Sequence, residues 1–171
     1  MKKEYLDYKP ELWDKAFISE RNNLIFALPD FKMNIEHIGA TSVNSGRSFR
    51  NVDILLSVSN FADIYTIAML LGTKGYKEIR ELSTLGVVVL VKQKKVNRQT
   101  ITIRVVQYGE EFYRRALAFK TLLQESSDRI QRYNIFREEL IKEVNLDIVS
   151  YNKTKYEYIN NLVDEHFKFE K

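Results

Sequence analysis

The sequence predicts an α+β fold: a small mixed β-sheet with helices packed on it and a carboxy-terminal helical bundle. Three observations predict it. Four short apolar segments, residues 35–38, 52–58, 87–91 and 101–106, have strand length, and the last two are rich in β-branched side chains. Residues 11–28 place Trp13, Phe17, Leu24 and Leu28 at spacings of three, four and seven, as an amphipathic helix does. Beyond residue 110 the pattern is helical to the end, and no Pro or Gly follows Gly109 to interrupt it.

Each element has its own signals. Pro10 suits the first turn of helix 11–28, where its missing N–H costs nothing, and Pro29-Asp30 ends that helix. In strand 52–58, Val52, Ile54, Leu56 and Val58 share one face, while Asp53, Leu55 and Ser57 share the other. Residues 61–71 read as a helix with Asn60 as N-cap and Gly72 near its end, and Gly75 continues the turn. Strands 87–91 and 101–106 flank a basic connection, residues 92–99, which reads as a lysine-guarded hairpin tip or as a phosphate-contacting arm. Three helices follow, over about 111–124, from the Ser126-Ser127-Asp128 cap to about 144, and from 145–147 to about 167. Tyr151, Lys155, Tyr158, Ile159 and Leu162 form a stripe read as helix–helix packing. The 171 residues read as one domain, with an α/β core over 1–108 and helices over 109–171.

Composition narrows the function classes. Apolar residues make up 44% and charged residues 29%, ordinary values for a globular protein. Without cysteine there are no disulfides, thiolate ligands or thiolate nucleophiles. His37 and His166 are far apart in sequence, so a His-rich metal site is not expected. The net charge of +4 suits a phosphorylated ligand and is too mild to demand nucleic acid. Apolar runs are too short to span a bilayer, and Met1-Lys2-Lys3-Glu4 is not followed by an apolar signal segment, so a cytoplasmic location is expected.

The stretch 34–58 organises the chain: strand, Gly-containing turn, small polar loop, strand. At Glu36-His37-Ile38-Gly39-Ala40-Thr41-Ser42-Val43, and again at Val52-Asp53-Ile54, it resembles the GrpB family (UPF0157 type) of the nucleotidyltransferase-fold superfamily, a family also found fused to some bacterial dephospho-CoA kinases. The resemblance extends to Tyr8-Lys9-Pro10 and Trp13, to Ala118-Phe119-Lys120 and Leu123, and to Tyr133, Arg137, Leu140, Tyr151, Lys155 and Ile159. It implies a bacterial protein with a nucleotidyltransferase-like fold. It also implies a phosphate-contacting turn at Gly39, Thr41 and Ser42, and a magnesium-binding carboxylate at Asp53. The departures are specific. Ala40, Asn44, Ser45, Phe49 and Arg50 stand where the family pattern has Ser, Pro, Gly, Lys and Pro. Thr102-Ile103-Arg104 aligns with its His-x-His, and Lys120-Thr121 with its Arg-Asp.

Nucleotidyl transfer uses two carboxylates, two residues apart on one strand face, to hold cations that clamp the attacking and leaving oxygens. Here Asp53 has Leu55 as its same-face neighbour, and Arg104 occupies the place of a third carboxylate. Asp53 is therefore read as a metal ligand, a salt-bridge partner or a loop cap. His37 is a candidate general base or phosphate ligand, or else a hydrogen-bonded structural residue. Glu36 is held in reserve as an unrecognised ligand. Arg47 and Arg50 flank the missing Lys and suit bidentate phosphate contact. Arg104 should share the face of Asp53, which is expected at a sheet edge, and should approach it or a bound anion. The predicted function is binding of a nucleotide or other phosphorylated small molecule with weak or no transfer. The alternative is a catalytically inactive protein-interaction module, and nucleic-acid binding ranks last.

Overall fold

The structure, a computed structural model, describes residues 5–7, 9–43, 47–49, 51–94, 99–143 and 148–167, with 5–7, 10, 47–49 and 148 described by backbone alone. Among the described residues, seven strands and five helices run in the order β1 (Tyr5–Asp7), α1 (Pro10–Ala27), β2 (Met33–Ile38), β3 (Arg47–Phe49), β4 (Asn51–Val58), α2 (Phe61–Thr73), β5 (Lys77–Glu78), β6 (Val87–Gln93), β7 (Thr100–Gln107), α3 (Glu111–Gln124), α4 (Ser127–Lys142) and α5 (Ile148–His166).

The main sheet has the order β2-β4-β7-β6-β5. Only β4 and β7 pair in parallel; the other ladders are antiparallel. A parallel pair needs a crossover, and α2, β5 and β6 supply it. The four predicted strands are therefore all present, joined by the two-residue β5. β1 and β3 form a separate ladder that the apolar pattern did not announce.

β4 and β7 are covered on both faces, as central strands are. Val52, Ile54 and Leu56 on β4 and Ile101, Ile103 and Val105 on β7 pack with Trp13 and Leu24 of α1, with Leu28 at its C-cap, and with Ile64, Ile67 and Leu71 of α2. Full burial of each such aliphatic side chain contributes about 1.5–3 kcal/mol. On the opposite face, Ile38, Leu55 and Val106 meet Phe112, Ala116 and Leu117 of α3. α4 and α5 close over α3 through Phe119, Leu123, Tyr133, Ile159 and Val163. Tyr158 stacks on Phe136 at 4.1 Å, so the aromatic stripe of α5 does serve helix packing.

The caps explain the boundaries. The Asn60 side chain accepts from Ala62 N, and the Ser126 side chain accepts from Arg129 N. Gly72 lies inside α2, and it is Gly75, with φ 87°, that takes the left-handed position after the helix.

Candidate functional site

The site begins where β2 ends. Gly39 has φ 74°, and a short 3-10 turn, Ala40–Ser42, follows it. The turn is closed by Ser42, whose N and Oγ both donate to Gly39 O, at 3.1 and 2.7 Å. Thr41 is buried and shares a 3.0 Å hydrogen bond with His37 Nε2. β4 returns antiparallel to β2 and sets Asp53 opposite Ile38. A Cβ on Gly39 would stand 2.9 Å from Asp53 Oδ2, so the turn and the carboxylate form one surface.

Sheet register brings in Arg104. It pairs with Leu55, two residues along from Asp53, and so projects from the same face. Its Nη1 donates to Asp53 Oδ1 at 3.0 Å. Only 2% of the Arg104 side chain and 13% of Asp53 is exposed. Burial raises the Asp53 pKa, but Lys155, Arg104 and Asn51 together outweigh it and hold the carboxyl below its usual range. Burial opposes the charge on Arg104, and Tyr156 and Asp53 restore it, so its pKa lies above the ordinary value.

α5 forms the far wall. The Tyr156 ring faces the Arg104 guanidinium at 5.1 Å, and Lys155 Nζ lies 5.4 Å from the same ring. The phenol and the guanidinium influence each other's ionisation and lie within hydrogen-bonding reach of one another. Arg104 Nε and the Tyr156 hydroxyl are both sealed from solvent. Arg104 and Tyr156 help to line a cavity of about 50 Å³, bounded by Gly39 and Asp53 on the sheet side and by Lys155 and Asn160 on α5. Arg115 ties its rim by bridging Glu111 of α3 and Asp164 of α5 at 2.8 and 2.7 Å.

The predicted residues separate into groups. Gly39, Asp53 and Arg104 are brought together. Asp53 lies near the start of an inner strand and not at a sheet edge, because β2 covers one side of β4 and β7 the other. Thr41 and Ser42 adjoin the carboxylate, but their hydroxyls are engaged within the turn. His37 projects from the opposite sheet face, where its ring stacks on Phe17 at 4.8 Å. Burial lowers its pKa to about 4, the charge of Lys120 adds to that, and the Asp53 carboxylate does not offset it; Asp14 Oδ1 lies 4.0 Å from Nδ1. Glu36 shares the face of Asp53 but pairs with Leu55 in register and lies near Tyr113. Arg47 is placed by backbone alone, in β3, and Arg50, Asn44, Ser45 and Gly46 lie outside the described residues.

The basic connection has internal uses. Lys94 Nζ lies 2.7 Å from Glu20 Oε2, and Lys92 lies over the Tyr76 ring at 4.9 Å. Residues 95–98 are outside the described part. Sequence reasoning missed Tyr156 and Asn51. Tyr156 adjoins Lys155 in the stripe assigned to packing, and only its position over Arg104 marks it out.

A magnesium pair does not fit this donor set. Among the described residues no group of three His, Cys, Asp or Glu side chains could hold a metal ion. The one carboxylate at the centre is already bound by a guanidinium.

The site is thus a Gly turn set against the Asp of a neighbouring strand, on a mixed sheet of an α+β fold. The family model for GrpB protein matches residues 4–165, and the chain belongs to the GrpB family. The crystal structure of conserved protein GrpB from Enterococcus faecalis superimposes with a TM-score of 0.77 at 23% identity, covering 95% of this chain and 96% of that one. The structure of the GLD-2/RNP-8 complex matches with a TM-score of 0.54 at 15% identity, over 88% of this chain and 51% of that one. Both likenesses concern the fold alone. A UPF0157 protein of Vibrio cholerae is 32% identical over 107 residues, 63% of this chain. The chain spans about half, 54%, of that relative's length. No helix among the described residues is long and apolar enough to cross a membrane.

Proposed function

We propose that the cleft between the Gly39 turn and α5 binds a phosphorylated small molecule, with a nucleotide as the first candidate, and that nucleotidyl transfer is weak or absent. The observation that carries this reading is the 3.0 Å contact between Arg104 Nη1 and Asp53 Oδ1. Two-cation transfer needs carboxylates free to hold metal, and here a permanent cation holds the central one. The surroundings favour an anion. Lys155 and Arg104 both act on Asp53 and hold it ionised, and both residues line the cleft.

Thermal shift with ATP, ADP and pyrophosphate, each with magnesium and with a chelator, tests both halves. A ligand bound only by the folded protein raises stability by about 2.7 kcal/mol at a hundredfold excess over its Kd. The expected result is a stabilisation that persists in the chelator, with no nucleotidyl product. Absence of any shift removes the binding half. Metal-dependent turnover abolished by Asp53→Ala removes the inactivity half.

The second reading is a catalytically inactive module that serves a protein partner. One observation favours it: the space beneath α5 is narrow, about 50 Å³. Nucleotides that leave stability unchanged would support this reading.

A further inference from the structure

A second surface lies on the other side of the sheet from the cleft. There α2 packs Ile64, Ile67 and Leu71 against Val52, Ile54 and Leu56, the face of β4 opposite Asp53. The outer side of α2 exposes Phe61, Tyr65 and Met69, which are spaced by four and so form one stripe. The tight turn before β6, closed by the Thr84–Val87 bridge, extends that stripe. Gly86 N donates to the Tyr65 hydroxyl at 3.4 Å, and a Cβ on Gly86 would stand 3.2 Å from Phe61 Cε2. Leu85, at the tip of this turn, is 87% exposed, and Met69 is 68% exposed. Turn tips ordinarily carry Gly, Asn, Asp or Ser, so a leucine there calls for another reason.

The patch is also nearly free of charge. In its 13 residues α2 carries one charged side chain, Asp63, although the chain as a whole is 29% charged. Asp63 is half-buried and accepts from the Asn60 side chain at the cap. Two copies of a chain of net charge +4 meet with least repulsion on such a face. At these exposures Phe61, Tyr65, Met69 and Leu85 leave roughly 500 Å² of apolar surface, at about 200 Å² for each whole side chain. Two such patches face to face bury about 1,000 Å², the lower limit for a specific interface. Single exposed apolar residues, such as Ile135 on α4, are ordinary, whereas a contiguous patch of this size is commonly functional.

We propose that this face is the interface between two copies of the chain, a two-fold contact in which Phe61, Tyr65, Met69 and Leu85 of one copy pack on the same residues of the other. A two-fold contact needs one patch that is complementary to itself, and an uncharged stripe with Tyr65 at its centre meets that condition. An unrelated partner would need an equally uncharged apolar face, and this chain already has one. Asp53 and Arg104 lie on the opposite sheet face, so both clefts stay open in the dimer. The inference is independent of what the cleft binds. Because the interface is small, association should be reversible and in the micromolar range.

Sedimentation of the full chain over a concentration series tests it. Wild type should pass from monomer to dimer through the micromolar range. Met69→Glu and Leu85→Glu each place a charge in the patch and should weaken dimerisation by about tenfold or more, the scale of one interface residue that matters. Both positions are exposed, so these variants should melt like wild type at a concentration where wild type is monomeric. The chain has no cysteine, so single cysteines report the geometry. Thr66→Cys, exposed on the outer side of α2, should join two copies through a short bismaleimide, and Ile135→Cys on α4 should not. A wild type that stays monomeric at millimolar concentration overturns the proposal and leaves the patch to a different protein. A dimer that survives both glutamate variants, or that links equally through Ile135→Cys, overturns it as well.

Discussion

The carboxylate of Asp53 occupies the space into which any side chain at Gly39 would project, with Oδ2 only 2.9 Å from the position of a Cβ. The φ of 74° adds a second reason for glycine there. Gly39→Ala should therefore destabilise the protein by about 1–3 kcal/mol from backbone strain alone, with the steric conflict in addition. Because the conflict involves Asp53, a double-mutant cycle with Asp53→Ala should be non-additive by at least about 0.5 kcal/mol. Urea unfolding of the four proteins measures it.

Removing one partner of the Asp53–Arg104 pair should cost more than removing both. Both side chains are largely buried, and a lone buried charge is not compensated. Asp53→Ala should lose about 3–5 kcal/mol, while the double replacement Asp53→Leu with Arg104→Met should lose much less. Equal losses in the two variants would mean that the pair is solvated in solution.

Acid should weaken the fold in two stages. His37 titrates near 6.5 in an unfolded chain but at about 4 here, because burial disfavours its charged form. Between those values the unfolded state binds a proton that the native state does not. Stability must then fall as pH drops from about 6.5 to 4, by roughly 3 kcal/mol in all. His37→Gln should flatten this window in urea titrations at stepped pH. The loss below it belongs to Asp53 and Glu20, whose depressed folded pKa values give stability present above their unfolded values and lost as pH falls through the folded ones.

Lys94 should matter for stability. Glu20 is buried in α1, where it accepts from the Tyr76 hydroxyl and pairs with Lys94. Lys94→Ala leaves that carboxylate short of its cation and should cost about 3 kcal/mol, read by thermal unfolding. The same variant should not alter the salt dependence of any weak nucleic-acid binding, because this lysine is already committed.

How far the sequence reached depends on the range of each signal. β4 and β7 were legible because alternation marks their two faces, and the alternation also put Arg104 on the face of Asp53. α1, α2 and α4 were legible from periodicity and from the caps at Asn60 and Ser126. β1, β3 and β5 were not, since segments of two or three residues carry too few side chains to show a period. By sequence alone His37 is free to serve a site or a structure. Burial against Phe17 decides for structure in His37, and no local pattern could report that. Tyr156 escaped because a helical stripe looks the same whether its rings meet another helix or a guanidinium from a distant strand.

The central claim is that Arg104 holds Asp53 in place of a divalent cation, and metal titration tests it most directly. Calorimetric titration of magnesium and manganese into the wild-type protein should show no specific binding at millimolar concentrations. Arg104→His, which removes the permanent charge, should acquire measurable affinity that Asp53→Asn abolishes. Specific magnesium or manganese binding by the wild type, lost on Asp53→Asn, would contradict the claim.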